Sequence, residues 1–214
     1  MIDAEKRGYF KNRKQAGMEL GDFLKTKYGG LDPLVIGVPR GGVEVAYYVA
    51  VAFDTRLEVI VSKKLPLPQQ PEFGIGAVSE ENSLYISSKD EHLLTPDMLS
   101  EIIEMQQIEV ERRVKTYRRG RPLPGMEGRT VFIIDDGIAT GVTLVPVLKL
   151  CRKKKAAKII IAAPVSGMSY NEGLYNADAI EVLIQPESFY AVGQVYEDFN
   201  EFDDQQLMAL LDRA

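Results

Sequence analysis

The stretch VFIIDDGIATGVTL at 131–144 sets two adjacent acids against a run of small and hydroxyl-bearing residues. Ionised, Asp135 and Asp136 are pure acceptors, which suits the two neighbouring hydroxyls of a ribose. Gly137 and Gly141 let the backbone turn tightly and approach a ligand closely. The backbone N–H groups of Gly137, Ile138, Ala139, Thr140, Gly141 and Thr143 can then converge on a phosphate at a helix N-terminus, aided by the helix dipole. The Thr140 and Thr143 hydroxyls can donate to phosphate oxygens. One loop would thus hold a sugar at its acidic end and a phosphate at the other.

Other chemistries fit this stretch less well. An acid pair after a strand can simply cap the next helix. The acid pair of a phospho-receiver domain belongs at the first strand of its sheet, with a third Asp and a Lys on later strands. Here the pair follows more than half the chain, and the later run IIIAAPVSG carries no Lys at its end. A Walker-type loop needs Gly-Lys-Ser/Thr, which is absent.

The flanking pattern predicts the elements that position this loop. Helical spacing runs over about 11–28, with Ala16, Leu20, Phe23 and Leu24 on one face, and Gly29-Gly30 stops it. LVIGV at 34–38 reads as a buried strand, 42–53 as an apolar helix and 57–61 as a second strand. Between Lys63 and Ser83 the pattern breaks into a Pro- and Gly-rich loop, whose last part reads as a hairpin turning near Glu81-Asn82. Thr95 caps and Pro96 opens a long helix ending near Gly120. Alternation resumes with a strand at 130–134, a helix at 142–153, strands at 158–163 and 179–183 with a short helix between them, and a last helix near 203–211. Apolar strands alternating with helices predict an α/β fold, a parallel sheet with helices on both faces. No composition shift marks a linker, so residues 1–214 are read as one domain.

Composition narrows the function classes. A net charge of −5 gives no general attraction to nucleic acid or anionic membrane. No apolar run approaches the roughly 20 residues of a membrane span, and the polar start MIDAEKRGYFKNRK lacks a signal-peptide core. The single cysteine, Cys151, fits a reducing compartment, so a cytoplasmic location is expected. With one His (His92, just before a helix cap) and one Cys, zinc sites and Cys/His or Ser/His/Asp chemistry have no support. The basic clusters at Arg112-Arg113, Arg118-Arg119-Arg121 and 152–155 read as solvated helix ends.

The motif at 131–144 resembles the signature of type I phosphoribosyltransferases, which bind 5-phosphoribosyl-1-pyrophosphate (PRPP). It has Asp-Asp where many members have Glu-Asp. The phrases KKLPLPQQPEFGIGAVSE, GRTVFIIDDGIATGVTL and PESFYAVGQVYEDF look like a group of these enzymes with no assigned acceptor. The resemblance implies that Asp135 and Asp136 take the ribose hydroxyls, and that residues 137–141 with Thr143 take the 5′-phosphate. It also implies that the loop VPRGGVEVA (38–46), through Arg40, Gly41 and Gly42, takes the pyrophosphate, often at a strained or cis peptide. Residues 63–83 fall where the family carries a flexible lid, with Lys63 and Lys64 neutralising the leaving group; many relatives have Arg-Lys there. Asp136, Lys64 and Arg40 are the implied catalytic set. A small hood from about 9–28 and 185–199 would hold the acceptor, with Phe189 as a platform for its ring. Mg²⁺ is the implied cofactor, with no direct protein ligand except through water at Asp135 or Asp136.

The expected activity is transfer of ribose 5-phosphate from PRPP to a nitrogenous base, releasing pyrophosphate. The expected partners are PRPP, a nucleobase-like acceptor and a second copy in a homodimer, not a membrane or a nucleic acid. Two alternatives stand beside it: a non-catalytic PRPP or nucleotide sensor on the same site, and an RNA-binding regulator using the basic clusters.

Overall fold

The computed structural model describes residues 9–214; the polar start at residues 1–8 lies outside them. In chain order the elements are α1 (Arg13–Tyr28), β1 (Leu34–Gly37), α2 (Gly41–Phe53), β2 (Leu57–Val59), β3 (Ser62–Leu67), β4 (Gln70–Ser79), β5 (Leu84–Ile86) and α3 (Pro96–Arg118). There follow β6 (Thr130–Ile134), α4 (Leu144–Lys153), β7 (Lys158–Val165), β8 (Ala179–Ile184) and α5 (Asp204–Leu211).

Five strands form a parallel sheet in the order β2-β1-β6-β7-β8. Its strands read as continuous apolar runs because both faces are covered. Val35, Phe132, Ile134, Ile160 and Ala162 pack on one side with α1 and α2 residues such as Leu20, Val43 and Val49. Ile36, Val131, Ile133, Ile159 and Ile161 pack on the other with Leu144, Val147 and Leu148 of α4. From β1 the chain first steps outward to β2, then returns to lay β6, β7 and β8 on the opposite side. The order therefore reverses between β1 and β6, and ligands of open α/β sheets bind at the carboxyl ends of strands at such a reversal.

The stretch expected to be a lid loop is mostly strand. β3 and β4 pair antiparallel, joined at Pro68-Gln69, and β5 completes a second, three-stranded sheet. The turn between β4 and β5 falls at Glu80–Asn82, where the sequence places it. Leu65, Ile75, Ala77 and Val78 are buried at the base of this sheet. Pro66 hid the strand from a reading of the pattern: it lacks an N–H, and the pairing slips on either side of it. Gly74 and Gly76 break the alternation further, yet each sits where a side chain would collide, with Lys64 and with the Tyr85 carbonyl respectively.

Arg118, read as part of a solvated helix end, is buried. It pairs with buried Glu80 and donates to the Val59 carbonyl at 3.2 Å, while Glu80 also accepts from the Val61 amide at 2.9 Å. The other basic clusters are tied to carboxylates, mostly at the surface, with Arg113 partly buried. Arg112 and Arg113 share Glu109, Arg119 meets Asp212, and Arg152 meets Asp178. No helix of the described residues is long and apolar enough to cross a membrane.

Candidate active site

The loops after β1 and β6 meet at the reversal. The Val38 amide donates to the Ile134 carbonyl at 3.0 Å, so the two strand ends run level into their loops. The Pro39-Arg40 peptide is cis, and α2 starts at once behind it. A Cβ on Gly41 would lie 1.9 Å from Asp136 Oδ2, and one on Gly42 would lie 2.8 Å from Asp135 Oδ1. The two glycines let the helix end press directly against the acid pair. Their amides belong to the first turn of α2, where N–H groups have no partner within the helix.

Asp135 and Asp136 are held on one side and open on the other. The Asp135 amide donates to Ala162 O, and its Oδ1 accepts from the Asp136 amide at 2.9 Å. Asp136 Oδ2 accepts from Arg13 Nε at 2.7 Å. Asp135 Oδ2 and Asp136 Oδ1 have no hydrogen bond, and neither is sealed in: among the described residues the one fully buried side-chain polar atom without a partner is Gln107 Oε1. Burial and then the neighbouring Asp136 charge push the Asp135 carboxyl well above the usual range. Burial also raises Asp136, opposed by the Arg13 guanidinium.

The loop after β6 leaves several backbone amides open. The amides of Ala139, Thr140, Gly141 and Thr143 make no hydrogen bond among the described residues, and Ala139 and Thr140 are exposed. Thr143 begins α4 without using its hydroxyl as a cap. Ile138 departs from the expectation. Its amide donates to Val165 O at 2.8 Å and its side chain is in the core, so it anchors the loop and has no N–H to offer an anion. The Gly137 amide makes no hydrogen bond among the described residues, and the space of its missing side chain is filled by Val192 and Val165. Gly141 does need its type, at φ 75° with Leu174 packed where a Cβ would go.

The cations divide between the faces of β3, as a strand requires. Burial and the nearby Arg113 lower the Lys63 pKa, opposed by Glu109, with Arg40 and Arg112 adding smaller effects. The Lys64 stem lies over Gly74, whose Cβ position is 3.5 Å from Val142 of the phosphate loop. Arg40 pairs with Glu201 at 2.8 Å at the surface, an ion pair of small energy that an incoming anion can displace. Phe189 packs with Val165, Val192, Val195 and Tyr196. Its ring lies 3.4 Å from the Cβ position of Gly167, at the end of β7. A cleft of about 500 Å³ flanks the loop at Ala139 and Thr140, lined also by Tyr85, Lys89, Tyr170 and Tyr175.

Reading the sequence missed Arg13 and Glu44, and offered Tyr196 only as a ring to stack on the acceptor. Gly17 and Gly21 let α1 lie flat on α2, with Cβ positions 2.8 Å from Val45 O and 2.9 Å from Ala52 Cβ. The two helices run in the same direction, and one turn before Gly17 this contact carries Arg13 to the α2 N-terminus. The spacing Arg13, Gly17, Gly21 is the signal that was available: an Arg in line with two glycines on a packed helix face. Tyr196 donates its hydroxyl to Asp136 O at 2.6 Å. Glu44, in the first turn of α2, is raised by burial and feels both Arg13 and Asp136.

A parallel α/β sheet with an acid pair and an open amide loop at its reversal defines a class of nucleotide- and sugar-phosphate-binding folds. Residues 9–200 match the family model described as "Phosphoribosyl transferase domain", and the chain belongs to that family. It is 36% identical over 210 residues to Mycobacterium tuberculosis proteins named as candidate phosphoribosyl transferases, covering 96% of this chain and 47% of theirs. The chain thus spans about half the length of those relatives. The crystal structure of TT1426 from Thermus thermophilus superposes with a TM-score of 0.77 at 33% identity, covering 94% of this chain and 97% of that one. A purine phosphoribosyltransferase from Pyrococcus horikoshii shares the fold at 18% identity and a TM-score of 0.51, covering 93% and 99%.

Proposed function

We propose that the chain transfers ribose 5-phosphate from PRPP to a nitrogenous base. The observation carrying this reading is the meeting of two loops at the sheet reversal, with open carboxylate oxygens at one end and free amides at the other. Asp135 and Asp136 receive the ribose hydroxyls. Gly137, Ala139, Thr140, Gly141 and Thr143 hold the 5′-phosphate, on a loop that Ile138 fastens to the sheet. Gly41 and Gly42 amides, Arg40 and Lys63 hold the pyrophosphate, while Lys64, on the opposite face of β3, lies toward Val142.

The bond between the anomeric carbon and pyrophosphate breaks with its electron pair leaving on oxygen, and a base nitrogen forms the new bond to that carbon. Asp136 faces the positive charge that develops on the sugar, and the base releases its proton to the carboxylate or to water. Residues 62–79, as a hairpin with an exposed tip, form the cover that excludes competing water. Phe189 and the segment 185–199 form the acceptor side. The open oxygens of the acid pair are hard donors suited to Mg²⁺, held with water and substrate oxygens. The ion would supply charge neutralisation on the pyrophosphate. Among the described residues no group of three or more His, Cys, Asp or Glu is placed to hold a metal.

Calorimetry with PRPP and Mg²⁺ tests the site, and failure of the wild-type protein to bind would overturn the proposal. A pyrophosphate-release screen across purines, pyrimidines and related bases tests the transfer. PRPP binding with no release for any base would replace the transferase by a sensor on the same site.

A further inference from the structure

The proposed ribose site contains a buried cation with no part in the roles given above. Arg13 is 8% exposed, and its guanidinium is held on several sides. Nε donates to Asp136 Oδ2 at 2.7 Å, and Nη1 donates to the Asn200 carbonyl at 2.8 Å. The guanidinium carbon sits 3.9 Å from the centre of the Phe199 ring. Phe199 stacks in turn on Tyr196 at 5.0 Å, and the Tyr196 hydroxyl returns to the Asp136 carbonyl. The clasp is closed by backbone: Phe10 N–H donates to Val195 O at 2.9 Å and Glu197 N–H to Phe10 O at 2.8 Å.

A salt bridge placed only for stability would not need this geometry. Arg13 takes the Asp136 oxygen that faces α2 and leaves the other oxygen without a hydrogen bond. A planar fork stacked on an aromatic ring fixes a carboxylate's direction in a way a lysine cannot.

We propose that Arg13 is the positioning residue of the ribose site, binding Oδ2 of Asp136 so that Oδ1 is aimed at a sugar hydroxyl. The inference rests on the PRPP-site reading and deepens it. It also ties the site to α1 and to the segment 195–200, so the sugar end is built by both ends of the described chain. Arg13 Nε lies 2.7 Å from the Cβ position of Gly41, but its hydrogen bonds go to Asp136 and Asn200 and none goes to Arg40, Gly41 or Gly42.

Three probes on the full-length protein separate the subsites: PRPP with Mg²⁺, ribose 5-phosphate, and inorganic pyrophosphate with Mg²⁺, each by calorimetry. Arg13→Gln is expected to weaken PRPP and ribose 5-phosphate by about tenfold to a hundredfold, the range of one charge-assisted hydrogen bond. Pyrophosphate affinity should stay unchanged. Arg13→Lys should recover little of the loss, and millimolar methylguanidinium should restore part of it to Arg13→Ala. If Arg13→Gln proves too unstable to assay, Phe199→Leu removes the ring beneath the guanidinium and should weaken ribose 5-phosphate several-fold while sparing pyrophosphate.

Equal loss for all three probes, or full ribose 5-phosphate affinity of Arg13→Lys, would reduce Arg13 to a structural tie and overturn the inference. So would a folded Arg13→Gln or Phe199→Leu with unchanged ribose 5-phosphate affinity. Wild-type protein that binds PRPP while these variants do not discriminate leaves the PRPP reading standing and removes only Arg13. Wild-type protein that binds none of the probes removes both.

Discussion

Adding a single methyl group at Gly41 tests the site geometry most directly. The Cβ of Gly41→Ala would stand 1.9 Å from Asp136 Oδ2 and 2.7 Å from Arg13 Nε. A tolerable contact requires the carboxylate or the helix end to retreat by about 1 Å, and misplacement on that scale costs on the order of a hundredfold at a reacting centre. Neither group has slack: Asp136 is pinned by Arg13 and by Tyr196, and α2 is pinned along its length by α1. Overpacking of this kind also costs about 1–3 kcal/mol of stability. At about 2–4 °C of melting temperature per kcal/mol for a chain of this size, the drop is roughly 2–12 °C. The assay pairs calorimetric PRPP titration with thermal unfolding, run beside Gly30→Ala as a control. Gly30 has nothing within 4 Å of its Cβ position, so its variant should bind normally and lose no stability. A folded Gly41→Ala protein with wild-type PRPP affinity would refute the argument that the helix end and the acid pair share one site.

Arg118→Met leaves Glu80 buried without its cation and should cost about 3–5 kcal/mol in urea unfolding, whereas Arg118→Met with Glu80→Leu should cost clearly less; equal costs would contradict the pairing. Glu201→Ala frees Arg40 from a surface ion pair worth less than about 1 kcal/mol. It should leave stability unchanged and hold or raise pyrophosphate affinity, and a clear fall in affinity would show that Arg40 needs Glu201 for its position. Burial pushes the Cys151 thiol up to about 12, so almost no thiolate exists at about pH 8. The native protein should resist a disulfide-exchange reagent there and react only as denaturant unfolds it; rapid native reaction would place the thiol at the surface.

The parallel sheet and its helices were legible because burial on both faces leaves unbroken apolar runs, as in VFII and KIIIAAPV. The acid pair and the loop after it were legible because they are local: strand, acids, glycines and hydroxyls follow one another within fourteen residues. The second sheet was not, since Pro66, Gly74 and Gly76 disguise strands whose stability comes from packing on α3 and α4. Arg118 was misread for the same reason. Its partner Glu80 lies 38 residues away, and only folding puts the two in one buried space.

Sequence alone determined the acids, glycines and hydroxyls that follow β6, because each of these groups is carried by the loop itself. Tertiary structure decided how the acid pair is held. Arg13 is 123 residues from Asp136 and 187 from Asn200. It reaches them because two glycines let α1 press against α2 and because the segment at 195–200 folds back over the strand ends. Contacts of that separation depend on which surfaces fit together, a property of the packed chain that no local run of residues carries.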